Sequence, residues 1–389
     1  MKILVYRYGS ICEPDIISAF QKLGLTVLEE TTEITNKKLS AADRLLLVEN
    51  VLKTEEPLFV FSINFYPIIA EICHIYRTRY LCWTVDAPVP ELFARSIRYD
   101  TNHLFLFDFA QYQRFAPYNP DSIHYLPLAS ATERFDKVIT SISQADRSQY
   151  SKDIAFVGSL YNEKNPLCRL KGLPEHARGY IDGLIESSLK IYGCNIVEDS
   201  LTDEITAAIK DCANDFFTLE NTVENSDRYV AAHSYIGMQI AETERVRTLN
   251  TLAQYFKVDL YTKSDTSALK NVQTHGGVAS LTEMPKIFHL SKINLNMTIK
   301  PIQTGLPLRI FDILGCGGFL MTNFQSELSD YFEIGTDLEA YSSMEELVDK
   351  CAYYLEHENI RKQIARNGYE KVCANHTYIH RLKEMIGLL

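Results

Sequence analysis

The stretch Thr304-Gly305-Leu306-Pro307-Leu308-Arg309-Ile310-Phe311-Asp312-Ile313-Leu314-Gly315-Cys316-Gly317-Gly318-Phe319 carries the residue types that hold an anion. Gly305 lets a loop backbone approach a ligand, and Pro307 suits the first position of a helix, whose free N–H groups form a positive end. Arg309 falls in the first turn and offers a forked, permanently charged donor to a diphosphate. Asp312 lies three residues on, on the neighbouring face at helical spacing, where a carboxylate can accept both hydroxyl protons of a ribose. Phosphate and sugar of one nucleotide are thereby both addressed. Gly315, Gly317 and Gly318 end the helix and turn the chain into the next apolar strand. A plainer reading also fits: a helix with a start and a stop, carrying an Arg309–Asp312 surface ion pair.

These residues need elements to position them, and the chain supplies an alternation of short apolar strands with amphipathic helices. The pattern predicts strands over Ile3–Tyr6, Leu25–Leu28, Leu58–Ser62, Tyr80–Val85, His103–Phe107 and Ile123–Leu126, with helices over Ile16–Leu23 and Pro67–Tyr76. Apolar strands joined by helices imply a parallel sheet covered on both faces. From about Phe135 to Lys152 the chain turns polar and reads as a linker. A second unit begins with the strand Ile154–Val157 and resumes with a helix over Ile240–Phe256, strands over Val258–Tyr261, Ile293–Asn296 and Phe319–Thr322, and helices over Glu283–Leu290, Pro307–Leu314, Met344–Leu355 and Arg361–Val372. Between them lies a helical stretch longer than a crossover needs, read as an insertion over about 162–235 serving as a lid, a packing layer or a surface for self-association. The expected domains are 1–148, 149–375 and a closing helix, 376–389.

A length of 389 residues asks for two domains, and 46% hydrophobic with 23% charged residues is a globular composition. A net charge of -11, without a basic aromatic cluster, argues against nucleic acid as partner. The nine cysteines are scattered without metal-ligand or redox spacing, so Cys12, Cys73, Cys194 and Cys373 read as reduced, mostly buried thiols. Neither a signal peptide nor a membrane span is evident, and a cytoplasmic location is expected. No Asp-x-Asp pair offers a manganese site. The three-glycine dinucleotide fingerprint, the phosphate loop ending in Gly-Lys-Ser/Thr and the Gly-x-Ser-x-Gly elbow are all missing, which sets aside dehydrogenase, NTPase and most hydrolase readings.

The segments Ile293-Asn294-Leu295-Asn296, Gly305-Leu306-Pro307-Leu308-Arg309-Ile310-Phe311-Asp312 and Gly317-Gly318-Phe319-Leu320-Met321-Thr322 resemble the spore maturation protein CgeB family, bacterial proteins classed as glycosyltransferases of the GT-B fold. Phe324-Gln325-Ser326-Glu327-Leu328, Arg366-Asn367-Gly368 and His376-Thr377-Tyr378-Ile379-His380-Arg381 extend the match over about the last hundred residues, and Trp83-Thr84-Val85-Asp86-Ala87-Pro88, Tyr125-Leu126-Pro127-Leu128-Ala129 and Phe156-Val157-Gly158-Ser159 look like further landmarks.

The resemblance implies two Rossmann-like α/β domains facing a cleft, with the helical insertion in the second and a C-terminal helix crossing back to the first. The activity it implies is transfer of a sugar from a nucleotide-sugar donor to an acceptor hydroxyl, with no metal and no separate cofactor. The donor's base would lie near Leu281–Pro285, which includes Glu283 and Met284, and Gly158 and Ser159 would line the diphosphate. Lys164 and Lys300 are phosphate partners or solvated lysines. Asp86 would be the general base on the acceptor side, or a local cap before its proline turn. Many retaining GT-B enzymes place two glutamates eight positions apart around the donor; here Thr304 and Asp312 occupy those positions. Without the first carboxylate, a non-catalytic nucleotide-sugar-binding or scaffolding protein stays open as an alternative. A sugar-nucleotide epimerase is another.

Overall fold

The computed structural model describes residues 1–389. The chain forms two compact units: Met1–Ala129 with Thr218–Ser226 and Thr377–Leu389, and Ser130–Phe217 with Asp227–His376.

The first unit contains β1 (Lys2–Tyr6), β2 (Thr26–Glu30), β3 (Phe59–Ile63), β4 (Arg79–Trp83), β5 (Asn102–Leu106) and β6 (Ile123–Tyr125) in the order β2-β1-β3-β4-β5-β6. All pairs are parallel. Helices cover both faces of such a sheet, which is why β3, Phe-Val-Phe-Ser-Ile, is buried at every residue. The helix Tyr378–Gly387 belongs to this unit. It packs on the helix Glu13–Lys22, sets Tyr378 edge-on against Trp83 at 6.0 Å and lets the buried Arg381 donate to the Pro127 carbonyl at 2.9 Å.

The second unit contains β7 (Ile154–Val157), β8 (Val258–Tyr261), β9 (Gln273–His275), β10 (Ile293–Asn296), β11 (Leu320–Asn323) and β12 (Glu339–Tyr341) in the order β12-β11-β10-β7-β8-β9, again parallel. The insertion contributes the helices Glu175–Ser188, Val197–Ser200 and Asp203–Cys212 and a π-helical turn, Val230–Ile236. It has its own apolar core of Ile181, Leu184, Val197, Ile205, Ile209 and Ile236, so it is a packed layer rather than a loop.

Three expectations change. The polar stretch 135–152 is no linker: it holds the helices Thr132–Thr140 and Gln144–Tyr150, buries Phe135 and Tyr150, and belongs to the second unit, which starts at Ser130 rather than 149. Its polar residues are the outer faces of amphipathic helices, and Ser143 and Asp146 close a capping box. The insertion is also interrupted. Thr218–Ser226 joins the first unit, where Arg95 N–H donates to Asn221 O at 2.8 Å and Val223 N–H to Phe93 O at 2.9 Å. Finally, Pro307 is the cap rather than the first residue of its helix, because its ψ of 156° is extended; the helix runs Leu308–Gly315. The cysteines carry no disulfide; Cys12, Cys73, Cys82, Cys316 and Cys351 are buried, while Cys168 and Cys194 are exposed.

Candidate functional site

The carboxyl ends of β7 and β10 lie side by side in the second sheet, and the residues that follow them converge there. After β7, Gly158 donates its N–H to Tyr261 O at 3.1 Å. Ser159 turns the chain: its Oγ donates to Glu163 Oε1 at 2.5 Å and accepts from the N–H of Tyr161 at 2.7 Å, and Tyr161 sits at a φ of 71°. After β10, Asn296 Nδ2 donates to Thr298 Oγ1 and Thr322 Oγ1, each at 2.9 Å, while Asn323 exchanges hydrogen bonds with the Thr298 backbone. This buried network ties β10 to β11 and fixes the start of the loop that leads to Pro307.

Arg245, on the helix Gly237–Leu252, bridges the two strand ends. Its guanidinium donates to Ser159 O at 2.6 Å and to Met297 O at 2.7 Å, and it lies 4.5 Å from the Tyr161 ring centroid. Nε has no partner although it is buried. Burial lowers the Arg245 pKa, and the nearby Arg309 lowers it further; an arginine keeps its charge under such shifts.

The helix Leu308–Gly315 has no side-chain cap; the Ile310 N–H donates to Pro307 O at 3.0 Å, and the N–H groups of Leu308 and Arg309 are left for another acceptor. Arg309 stands in that first turn. Its Nη1 lies 2.6 Å from Met284 Sδ and 3.5 Å from Asp312 Oδ2, and its Cζ is 5.2 Å from the Phe288 ring centroid. The Arg309–Asp312 pair therefore exists, but it is no surface pair: Asp312 is 5% exposed. Behind it, Gly317 takes a φ of 66°, and at Gly318 a Cβ would fall 2.5 Å from Phe288 O. The tight turn is what lets β11 follow the helix so closely.

The other expected residues are placed as follows. Gly305 and Leu306 are buried, and the carbonyls of Ile302 and Gly305 accept from the Gln325 amide at 3.3 and 3.4 Å. Thr304 is half-buried, its carbonyl 3.4 Å from Glu327 N. Glu283 accepts from Ala279 N–H at 2.7 Å and Tyr150 Oη at 2.8 Å, and the Ala279 amide is the main reason its pKa lies below the usual value. Lys300 is not solvated: it is 7% exposed, donates to the Ile191 carbonyl and lies 5.4 Å from the Tyr192 ring centroid. Burial lowers its pKa and raises that of Glu244, whose charge opposes the shift of Lys300. Lys164 lies 5.4 Å from the Tyr161 ring centroid. Asp86, in the first unit, is exposed after β4. Arg245 and Tyr161 were missed by sequence reasoning, although Ala241, Arg245, Thr248 and Leu252 share one buried helical face and that spacing was legible.

No three His, Cys, Asp or Glu side chains come together as metal ligands would, and no helix is long and apolar enough to cross a membrane.

Two six-stranded parallel sheets, each with its connecting helices, match solved structures along their whole length. Sucrose-phosphate synthase from Thermosynechococcus elongatus aligns with a TM-score of 0.58 at 9% identity, covering 100% of this chain and 98% of that one. HepE from Anabaena in complex with UDP-glucose aligns with a TM-score of 0.53 at 12% identity, covering 100% and 98%. A glycosyltransferase from Rickettsia africae gives 0.52 at 10%, covering 100% and 97%. The fold is that of GT-B glycosyltransferases. Residues 244–387 of this GT-B chain also match the family described as Glycosyl transferase-like, a span that includes Arg245, Lys300, Arg309 and Asp312. No curated protein sequence matches the chain.

Proposed function

We propose that the chain is a glycosyltransferase of the CgeB type that takes a sugar from a nucleotide-sugar donor held at the β7 and β10 ends and passes it to an acceptor hydroxyl, without a metal. The observation that carries the reading is Arg309 in the first turn of a helix that no side chain caps, with Arg245, 4.5 Å from the Tyr161 ring centroid, bridging the adjacent strand ends. Two guanidinium groups and free N–H groups would neutralise the diphosphate as it leaves. Asp312 would take the ribose hydroxyls, and Met284 would lie near the base. HepE is solved with UDP and with UDP-glucose, which makes uridine nucleotides the first donors to test.

In the reaction, the acceptor oxygen bonds to the anomeric carbon while the bond from that carbon to the diphosphate oxygen breaks. The electron pair leaves with the nucleoside diphosphate, and the acceptor proton passes to Asp86 in the first unit. Release of nucleoside diphosphate from a panel of nucleotide sugars, in the presence of EDTA, tests the reading. No release from any donor would reject it, and release only on adding a divalent cation would reject metal independence. The second reading, a protein that binds a nucleotide sugar without transferring it, is favoured by Thr304 standing where a carboxylate is expected and by the engagement of Asp312 with Arg309. UDP binding by calorimetry without turnover is its signature.

A further inference from the structure

Three neighbouring strands of the first unit deliver Tyr8, Asn64 and Asp86 to one patch at their carboxyl ends. Asn64 is its hub. The backbone there has a φ of 59°, which asparagine tolerates better than most residues, and its N–H donates to Trp83 O at 2.9 Å. Oδ1 accepts from the N–H groups of Val85 at 3.0 Å and Asp86 at 3.4 Å, while Nδ2 donates to Asp86 Oδ2 at 2.7 Å and to the Tyr8 hydroxyl at 3.2 Å. A flipped amide would set its oxygen against a carboxylate and its NH2 against two donors, so only one orientation serves.

Tyr8 completes the grip by donating its hydroxyl to the same Asp86 Oδ2 at 3.2 Å. Its own backbone is held by the buried Glu13, which accepts from the N–H groups of Tyr8 at 2.9 Å and Gly9 at 3.0 Å, and by Lys37, which donates to the Tyr8 carbonyl. Burial raises the pKa of the Tyr8 hydroxyl, so it stays a donor. Asp86 thus has Oδ2 held by two donors, while no hydrogen bond engages Oδ1 and the residue faces solvent.

We propose that Asn64 is the positioning residue for Asp86: it fixes the backbone and one carboxylate oxygen, leaving Oδ1 aimed outward to receive the acceptor proton. This rests on the reading of Asp86 as general base. A strand-end cap alone would use only Oδ1 of Asn64; positioning needs Nδ2 as well, and the two halves can be separated.

The test measures UDP release from UDP-glucose, or from whichever sugar nucleotide of the panel turns over fastest, against pH. Asn64→Asp keeps the acceptor for the two N–H groups but sets a like charge beside Asp86. It should move the acid limb of the kcat profile up by about one pH unit or more, with KM for the donor unchanged. Asn64→Gly keeps the φ without strain and removes the side chain. It should lower kcat about 10²-fold, again with KM unchanged. If both variants match the wild-type kcat profile while Asp86→Asn is slow, the positioning role is overturned and the base survives. If Asp86→Asn runs at the wild-type rate, or the wild type releases no nucleoside diphosphate from any donor, the base reading falls and this inference falls with it.

Discussion

Arg309 and Arg245 differ in what each guanidinium already does, and the difference predicts separable phenotypes. Arg309 has one close charged partner and keeps 23% of its side chain exposed, so it has capacity for an incoming anion. Arg309→Ala should weaken UDP binding by about 1.5–3 kcal/mol in calorimetry, the worth of a charge-assisted hydrogen bond; unchanged affinity would reject the donor site. Arg309→Lys should recover part of the loss, because lysine keeps the charge without the fork. Arg245 is committed to two backbone carbonyls, and its removal leaves both without their donor. Arg245→Ala should therefore lower stability by about 1–3 kcal/mol in urea unfolding as well as donor affinity. Equal stability with wild type would show that the bridge between the strand ends is dispensable. Arg309 was legible because it sits in a glycine-bounded loop and helix start. Arg245 was legible only as a place on an apolar helical face; its contacts were not, because a charge inside a long helix reads first as surface.

At the scale of elements, the helix Gln144–Tyr150 shows how little side-chain polarity says about order. Asp146 accepts from the N–H and hydroxyl of the capping Ser143 and pairs with Lys286 at 2.7 Å, and these contacts, led by the Lys286 ammonium, bring its pKa to about 2. A depressed carboxyl stabilises the folded chain above its unfolded pKa, about 4, and the contribution fades as pH falls through its folded value. Asp146→Asn should accordingly lower Tm at pH 7, with the gap to wild type closing between pH 4 and 2. A gap independent of pH would assign the effect to packing. The turn behind the helix Leu308–Gly315 is the opposite case, in which geometry leaves no freedom. Gly318→Ala would press a methyl against Phe288 O and Asn294 Nδ2, and should cost about 1–3 kcal/mol in denaturant unfolding. Core strands such as β7, β8 and β10 were readable from their apolar runs. The three-residue β9 and β12 were not, because β9 is largely exposed and both are too short to show a period.

Across the whole molecule, two parallel sheets follow from the alternation of strand and helix, so the fold class was in the sequence. The partition of the chain was not fully so: the crossing at Thr218–Ser226 depends on which surface a segment finds, which periodicity does not encode. A ligand that binds only the folded state raises its stability, by about 2.7 kcal/mol at a hundred times its Kd. UDP should thus raise Tm of the wild type and do so less in Arg309→Ala; a shift of the same size in both would place the nucleotide elsewhere. The helix Tyr378–Gly387 has a further consequence, for synthesis. Leu382 and Met385, fully buried in the first unit, follow nearly all of the second unit along the chain, so the first unit cannot seal until the second has been translated. Folding in order of emergence is closed to it. The nascent first unit must wait with an apolar seat open, and a chaperone that occupied that seat would delay closure without touching the sugar chemistry.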